Sequence, residues 1–311
     1  MNQLKTQDNP AQQKTQDMPM IQPKTEQPQP NENSTGLDTD KSETIDTKFY
    51  ANISELDDVI APNKRNKCRW VVVNNEKIDQ TWSILDILDN KPPLNWIDFF
   101  DEVRETELSI KDDAINADVC FPNKSKLFGA FTYSVPENIK LVMIGMDPYP
   151  DYTSYGEPRA NGLCFAVDKR DVIPRSLHNI YTELKNSFKN FTYPEHGDLT
   201  YWNLQGVLML NYSLTVVNGK PGSHSKKCMW EGFLIELIRY LDNLHPQGIV
   251  YVLFGANAKR LKRHISDRNK VVESAHPVAR DPKLFFGHET FLKINKHLHN
   301  LGHRPVDWNV Y

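Results

Sequence analysis

Ile139-Lys140-Leu141-Val142-Met143-Ile144-Gly145-Met146-Asp147-Pro148-Tyr149-Pro150 decides how this chain is read. Leu141 to Ile144 is an unbroken apolar run, the pattern of a strand buried on both faces. It stops at Gly145 and opens into a carboxylate and a phenol, Asp147 and Tyr149, each followed by a proline that stiffens the backbone. The C-terminal end of a buried strand is where open α/β sheets place ligands. A strand followed by a proline-rich turn is the plain alternative. Three later strands end in the same manner, and that coincidence favours a site.

Gly206-Val207-Leu208-Met209-Leu210 ends at Asn211, Ile249–Phe254 ends at Gly255, and Val271-Val272 ends near Ala275-His276-Pro277. Between them lie helical patterns. One has Ser176 as its expected N-cap and Leu177, Ile180, Tyr181, Leu184 and Phe188 on a single face. A longer one turns Trp230, Phe233, Leu234, Leu237, Ile238 and Leu241 inward. A basic helix comes after Gly255, and a last helix runs from about His288 to Leu301, stopped by Gly302. This alternation predicts an α/β fold with a central, mostly parallel four-stranded sheet flanked by helices on both faces. The C-terminal strand ends then lie side by side and bring Asp147, Asn211, Gly255 and His276 to one rim.

The 311 residues divide unevenly. Residues 1–48 are rich in Gln, Thr, Pro, Asn and Asp and hold too little apolar surface to offset their ordering entropy, so a disordered tail is expected. Residues 49–94 read as an extension of uncertain structure, with a short strand at Trp70–Val73. Its basic run Asn63–Arg69 reads as a solvated loop, a nuclear signal or a phosphate patch. Trp82–Leu88 fits either a helix turn or an edge strand. Pro92-Pro93 marks a boundary, and residues 95–311 form the main domain. The tail carries five lysines against eight acids, which accounts for the whole net charge of −3. A neutral body does not advertise a polyanion partner, so nucleic-acid binding needs a local patch. Cys68, Cys120, Cys164 and Cys228 are far apart, which suits a reducing compartment and no structural zinc. No apolar run reaches membrane-spanning length and no secretory signal is visible, so an intracellular protein of nucleus or cytoplasm is expected, with no membrane partner.

A carboxylate, an amide and an imidazole on one rim, with a single histidine and no HExxH, carry no metal logic. Taken singly, each has a bland reading as a turn former, an Asx turn or a surface histidine. Their convergence favours catalysis. Phe165 offers a flat ring for stacking, and Asn211 both donates and accepts, as a pyrimidine edge requires. Lys226, Lys227, Arg280 and the basic helix with Lys259, Arg260, Lys262 and Arg263 are candidates for phosphates, although a solvated helix face is the commoner fate of such residues. Neither G-x-x-x-x-G-K-[ST] nor G-x-G-x-x-G nor G-x-S-x-G occurs.

From about Trp96 to Trp308 the motifs resemble the family 1 uracil-DNA glycosylases. Gly145-Met146-Asp147-Pro148-Tyr149 is similar to that family's water-activating loop, and Asn161-Gly162-Leu163-Cys164-Phe165 to its pocket segment. Ile173-Pro174-Arg175-Ser176-Leu177 is similar to its proline-rich loop, Gln205–Asn211 to its uracil-reading strand, and Ser274-Ala275-His276-Pro277 to its minor-groove loop. Phe285-Phe286-Gly287 and Pro305–Trp308 resemble its closing segments. The resemblance implies a hydrolase that flips uracil out of DNA and cleaves its N-glycosidic bond, in base-excision repair, with no metal or cofactor. It implies Asp147 and His276 as catalytic residues, and Met146, Tyr149, Phe165 and Asn211 around the base. Ser176, Gly255, Ala256, Pro277 and Arg280 would meet the DNA. It also implies a monomer acting on single- or double-stranded uracil-containing DNA, with a replication or repair protein as a partner for the tail or extension.

Four departures stand out. Pro150 replaces the usual His and Met146 the usual Gln. Arg280 stands in place of an intercalating Leu, and about five extra residues lie between Asp147 and Phe165. Pro150 and Arg280 resemble the poxvirus branch, whose members also serve in polymerase processivity, which admits a viral replication site as the location. The competing reading is therefore a DNA-scanning or processivity module with secondary catalysis.

Overall fold

The computed structural model of the chain describes residues 82–116 and 118–311. The expectations for residues 1–48, for Asn63–Arg69 and for the strand at Trp70–Val73 lie outside them. Among the described residues are six strands: β1 (Cys120–Phe121), β2 (Leu141–Gly145), β3 (Val207–Asn211), β4 (Val216–Val217), β5 (Val250–Phe254) and β6 (Lys270–Ser274). β3, β2, β5 and β6 lie in that order in one sheet, every pair parallel, while β1 and β4 pair antiparallel beside it. The principal helices are α1 (Ile84–Asn90), α2 (Ile97–Val103), α3 (Arg175–Ser187), α4 (Glu231–Leu244), α5 (Gly255–Lys259) and α6 (Thr290–Asn300).

The two-residue period of a strand sorts the apolar runs into two cores. Leu141, Met143, Val207, Met209, Val250 and Val252 face α3 and α6, packing with Leu177, Ile180, Leu184, Phe291, Ile294 and Leu298. Val142, Ile144, Leu208, Leu210, Tyr251 and Leu253 face the other way, onto Phe99 and Phe100 of α2 and Phe233, Leu237 and Leu241 of α4. Leu141 sits opposite both Val207 and Val250, so same-face residues form continuous rows. Each such side chain contributes about 1.5–3 kcal/mol by leaving water.

The strand order also fixes where a ligand can enter. The chain leaves β2 through α3 to reach β3 on one flank, then returns through α4 to β5 on the other flank of β2. Helices on opposite faces diverge there, which opens a crevice at the carboxyl ends of β2 and β5. Among the described residues no helix is long and apolar enough to cross a membrane.

Local details refine the expectations. Trp82–Leu88 resolves as helix: Ser83 caps α1 by accepting from the Asp86 N–H at 3.0 Å, and Asp86 accepts in return from the Ser83 N–H at 2.8 Å. Ile84, Ile87 and Leu88 then bury in the same core as Phe99. Ser176 is not the N-cap expected of it. Pro174 holds that position and Ser176 lies inside the first turn of α3. Its hydroxyl serves a tertiary contact instead. The last helix starts at Thr290 rather than His288, because Glu289 takes a left-handed φ of +53° that a helix cannot contain.

Leu253 is fully buried in the middle of the sheet. Leu253→Ala is expected to lower unfolding free energy by about 2–5 kcal/mol in a urea melt. Lys262→Ala, which removes an exposed ion pair to Glu273 at 2.8 Å, is expected to cost at most about 1 kcal/mol. Equal losses would contradict this placement of the core.

Candidate active site

Pairing between the first two core strands does not stop at their ends. The Tyr212 N–H donates to the Gly145 carbonyl and the Ser213 N–H to the Met146 carbonyl, each at 3.0 Å. This ladder holds the backbone up to the threshold of Asp147, and Pro148 and Pro150 stiffen the turn beyond it. The Pro150 carbonyl is tied down by the Gly219 N–H at 2.7 Å. A cleft of about 580 Å³ opens above, and Met146, Asp147, Tyr149, Phe165, Ser176, Asn211 and His276 all line it.

Gly145 sits behind two of the cleft residues, Asn211 and Phe165. It stands in register with Asn211. A Cβ added there would lie 2.6 Å from Asn211 Oδ1 and 3.3 Å from Phe165 Cζ. Only glycine lets the amide and the ring approach each other this closely. Phe165 itself adopts φ +65°, the left-handed region, at a cost of about 1–3 kcal/mol for a residue with a Cβ. Its surroundings hold it there. The Cys164 N–H donates to the Met209 carbonyl at 3.2 Å, the Phe165 ring meets Phe254 edge-on with centroids 5.3 Å apart, and the Tyr149 hydroxyl donates to the Phe165 carbonyl at 2.9 Å. The same hydroxyl lies 2.8 Å from Ser176 Oγ, so one phenol joins three loops. Burial pushes that phenol's pKa well up and keeps it protonated.

His276 reaches the cleft from beyond β6, its ring centroid 5.8 Å from that of Phe165. Its Nδ1 accepts the Val278 N–H at 3.3 Å, so in the neutral ring the proton belongs on Nε2, free to donate. Burial pushes its pKa down to about 4, which makes the neutral form the resting one. Asp147 shows the converse. Burial pushes its pKa up, opposed by the Gly222 N–H that donates to Oδ2 at 2.5 Å and by the charge of Lys226. His224, two residues beyond Gly222, sits in a buried knot: Trp230 Nε1 donates to Thr215 Oγ1 at 2.8 Å, and that hydroxyl lies 2.8 Å from His224 Nδ1.

Four other residues singled out from sequence do not line the cleft. Gly255, with φ +84°, backs His276, since a Cβ there would meet the His276 Cβ at 3.4 Å. Ala256 and Arg280 are exposed. Pro277 is buried, and its carbonyl accepts from Asn179 Nδ2 at 2.8 Å. In the basic segment after Gly255, Arg260 and Arg263 approach Glu231 at 3.5 and 3.4 Å, and Lys262 pairs with Glu273, all three cations remaining exposed. Those acids lie 11 to 32 residues away in the chain, invisible to a local reading. Sequence reasoning also passed over Arg175, Pro221 and Val278, which line the cleft. Arg175 carried a signal, a cation at the entry to a helix beside two singled-out residues. Gly222 carried none, because only tertiary folding brings its N–H to Asp147.

Gly145→Ala is expected to leave the fold intact but displace the Asn211 amide, raising KM for the base-bearing substrate at least about tenfold, the cost of one lost buried hydrogen bond. An unchanged KM would contradict that role for Gly145. His276 should stay neutral in nitrogen-resolved NMR from pH 8 down to about 5. Between its folded value of about 4 and the usual ~6.5, the unfolded chain binds the extra proton. Acidification through that window therefore destabilises the fold through this residue. A His276 titrating near 6.5 would contradict its burial.

Residues 131–299 match the family model of the Uracil DNA glycosylase superfamily. A uracil-DNA glycosylase from Deinococcus deserti is 40% identical over 191 residues, which cover 61% of this chain and 74% of the relative. One from Francisella philomiragia subsp. philomiragia is 36% identical over 225 residues, 70% of this chain and all of the relative. The crystal structure of mimivirus uracil-DNA glycosylase superposes with a TM-score of 0.63 at 26% identity, covering 78% of this chain and 98% of that one. With its parallel sheet, its cleft and these relatives in agreement, the chain belongs to the uracil-DNA glycosylase superfamily.

Proposed function

We propose that this chain excises uracil from DNA by hydrolysing the N-glycosidic bond, with Asp147 and His276 as its catalytic groups. The glycosidic bond is unreachable inside a base stack, so the nucleotide must be extruded into the cleft. There Phe165 stacks on the ring and Asn211 pairs with its polar edge. The Tyr149 ring fills the space where a 5-methyl group would stand, which rejects thymine by collision. As C1′–N1 breaks, the bonding electrons leave with uracil and positive charge develops on the sugar. The Nε2–H of neutral His276 stabilises the uracil anion by hydrogen bonding, and the Asp147 carboxylate stabilises the cation and orients the water that attacks C1′. The water's proton passes toward Asp147, and an abasic site remains.

The observation that carries this reading is the gathering of Asp147, Tyr149, Phe165, Asn211 and His276, drawn from separate segments, around one cleft in a chain of this superfamily. Val278, 42% exposed and lining the same cleft, and Arg280 two residues on are the groups to occupy the gap that the flipped base leaves. The product belongs to base-excision repair. The protein acts as a monomer, and residues 1–94 engage a replication or repair protein.

The test is release of free uracil from a uracil-containing oligonucleotide with EDTA present. Asp147→Asn is expected to lower turnover about 10²–10³-fold while oligonucleotide binding survives. Tyr149→Phe, which keeps the ring, should still refuse thymine, whereas Tyr149→Ala should admit it. DNA binding without any uracil release by the parent chain would favour a scanning module instead.

A further inference from the structure

The extra residues between Asp147 and Phe165 do not form a slack loop. Tyr152 and Pro158 make an antiparallel bridge. The Thr153 N–H donates to the Glu157 carbonyl at 2.7 Å, and the Gly156 N–H to the Thr153 carbonyl at 3.1 Å, which closes a tight hairpin. Arg159 clasps its base, with Nε 3.0 Å from Asp151 and Nη1 2.7 Å from Asp171, whose side chain is 1% exposed. A guanidinium that bridges two carboxylates, one of them buried, ties the base of the hairpin to the segment that carries Asp171.

The hairpin rises directly from the cleft. Pro150 before it and Ala160 after it both line the cavity. Asp171, the anchor of the clasp, lies three residues ahead of Pro174, which lines it too. What the hairpin displays is aromatic. Tyr155 at its tip is 41% exposed and Tyr152 43%. The Arg170 guanidinium sits over the Tyr155 ring, 5.1 Å from its centroid. A rigid, exposed ring backed by a guanidinium presents the flat, cation-assisted surface on which unpaired bases stack. Acids outnumber bases around it, with Asp151, Glu157, Asp168 and Asp171 against Arg159, Lys169 and Arg170, so phosphate attraction is not its main asset.

We propose that the hairpin of residues 150–160 is a second base-binding site, in which Tyr155 and Arg170 stack on an unpaired base flanking the extruded uracil. The occupant is argued from continuity: Pro150 and Ala160 put the base of the hairpin on the cleft wall, next to any strand that lies in the cleft. The proposal rests on the cleft being the DNA site. In duplex DNA the flanking bases are already stacked and paired, so the platform favours single-stranded substrate.

The experiment measures steady-state uracil release by the full chain on single-stranded and duplex oligonucleotides of the same sequence. Tyr155→Ala is expected to raise KM on single strands about tenfold with kcat unchanged, and to leave duplex KM unchanged. Tyr155→Phe, which keeps the ring, should behave as the parent, and Arg170→Ala should fall between. In parallel, 2-aminopurine placed one to four nucleotides on either side of the uracil should show fluorescence quenching at one position, lost in Tyr155→Ala. A parent that releases uracil while Tyr155→Ala matches it on both substrates, with no position-specific quenching, would overturn the platform and leave the hairpin as a surface for a protein. Failure of the parent to release uracil would overturn the catalytic reading instead.

Discussion

The rest of this structure depends on the parallel pairing of Leu141–Gly145 with Val207–Asn211. It is a core interaction first, because it aligns two apolar runs so that alternate residues fill two separate layers. It is also what places the chemistry. The ladder continues from Gly145 and Met146 to Tyr212 and Ser213, so the loop that carries Asp147 and the strand end that carries Asn211 are fixed to each other by backbone hydrogen bonds. A shift of one residue in this register would reverse every side chain between the two faces and separate Asn211 from Gly145. Stability and site geometry therefore share one constraint.

Burial then tunes the groups that the backbone has placed. Asp147 and His276 both lose solvation, and the loss moves them in opposite directions, the acid upward and the imidazole downward. The two effects leave a neutral imidazole and a carboxyl group of raised pKa lining one cleft. The protein limits the penalty on Asp147 with the Gly222 backbone N–H and the charge of Lys226. Strain is treated in the same way. The left-handed Phe165 is held by the Tyr149 hydroxyl and by Phe254, so the fold itself fixes this ring in the cleft wall.

Much of this was legible along the chain. Four apolar runs ending at Gly145, Asn211, Gly255 and near His276, separated by helices with clear apolar faces, specify a parallel sheet and its rim, because burial on both faces and the strand period leave few alternatives. Asp147, Asn211 and His276 stood out because each follows the end of such a run, whereas Phe165 was picked out by its ring and by its motif. Val278 and Arg175 were overlooked beside residues that had been noticed. The ion pairs of Arg260, Lys262 and Arg263 went unforeseen because their acids are distant in sequence, and the start of the Arg175–Ser187 helix was misread at Ser176, where Pro174 is the N-cap.

The sequence by itself determined the strands, the helix faces and the identity of the residues able to do chemistry, since hydrophobic period and residue type are local properties. Only the tertiary structure decided which of them meet. It placed Gly222 on Asp147, joined Tyr149 to both Phe165 and Ser176, and turned the extra residues after Pro150 into a clasped hairpin at the cleft rim. Each of these rests on a hydrogen bond or ion pair that closes a long loop of chain. Such contacts form only once the sheet has already brought their partners within reach.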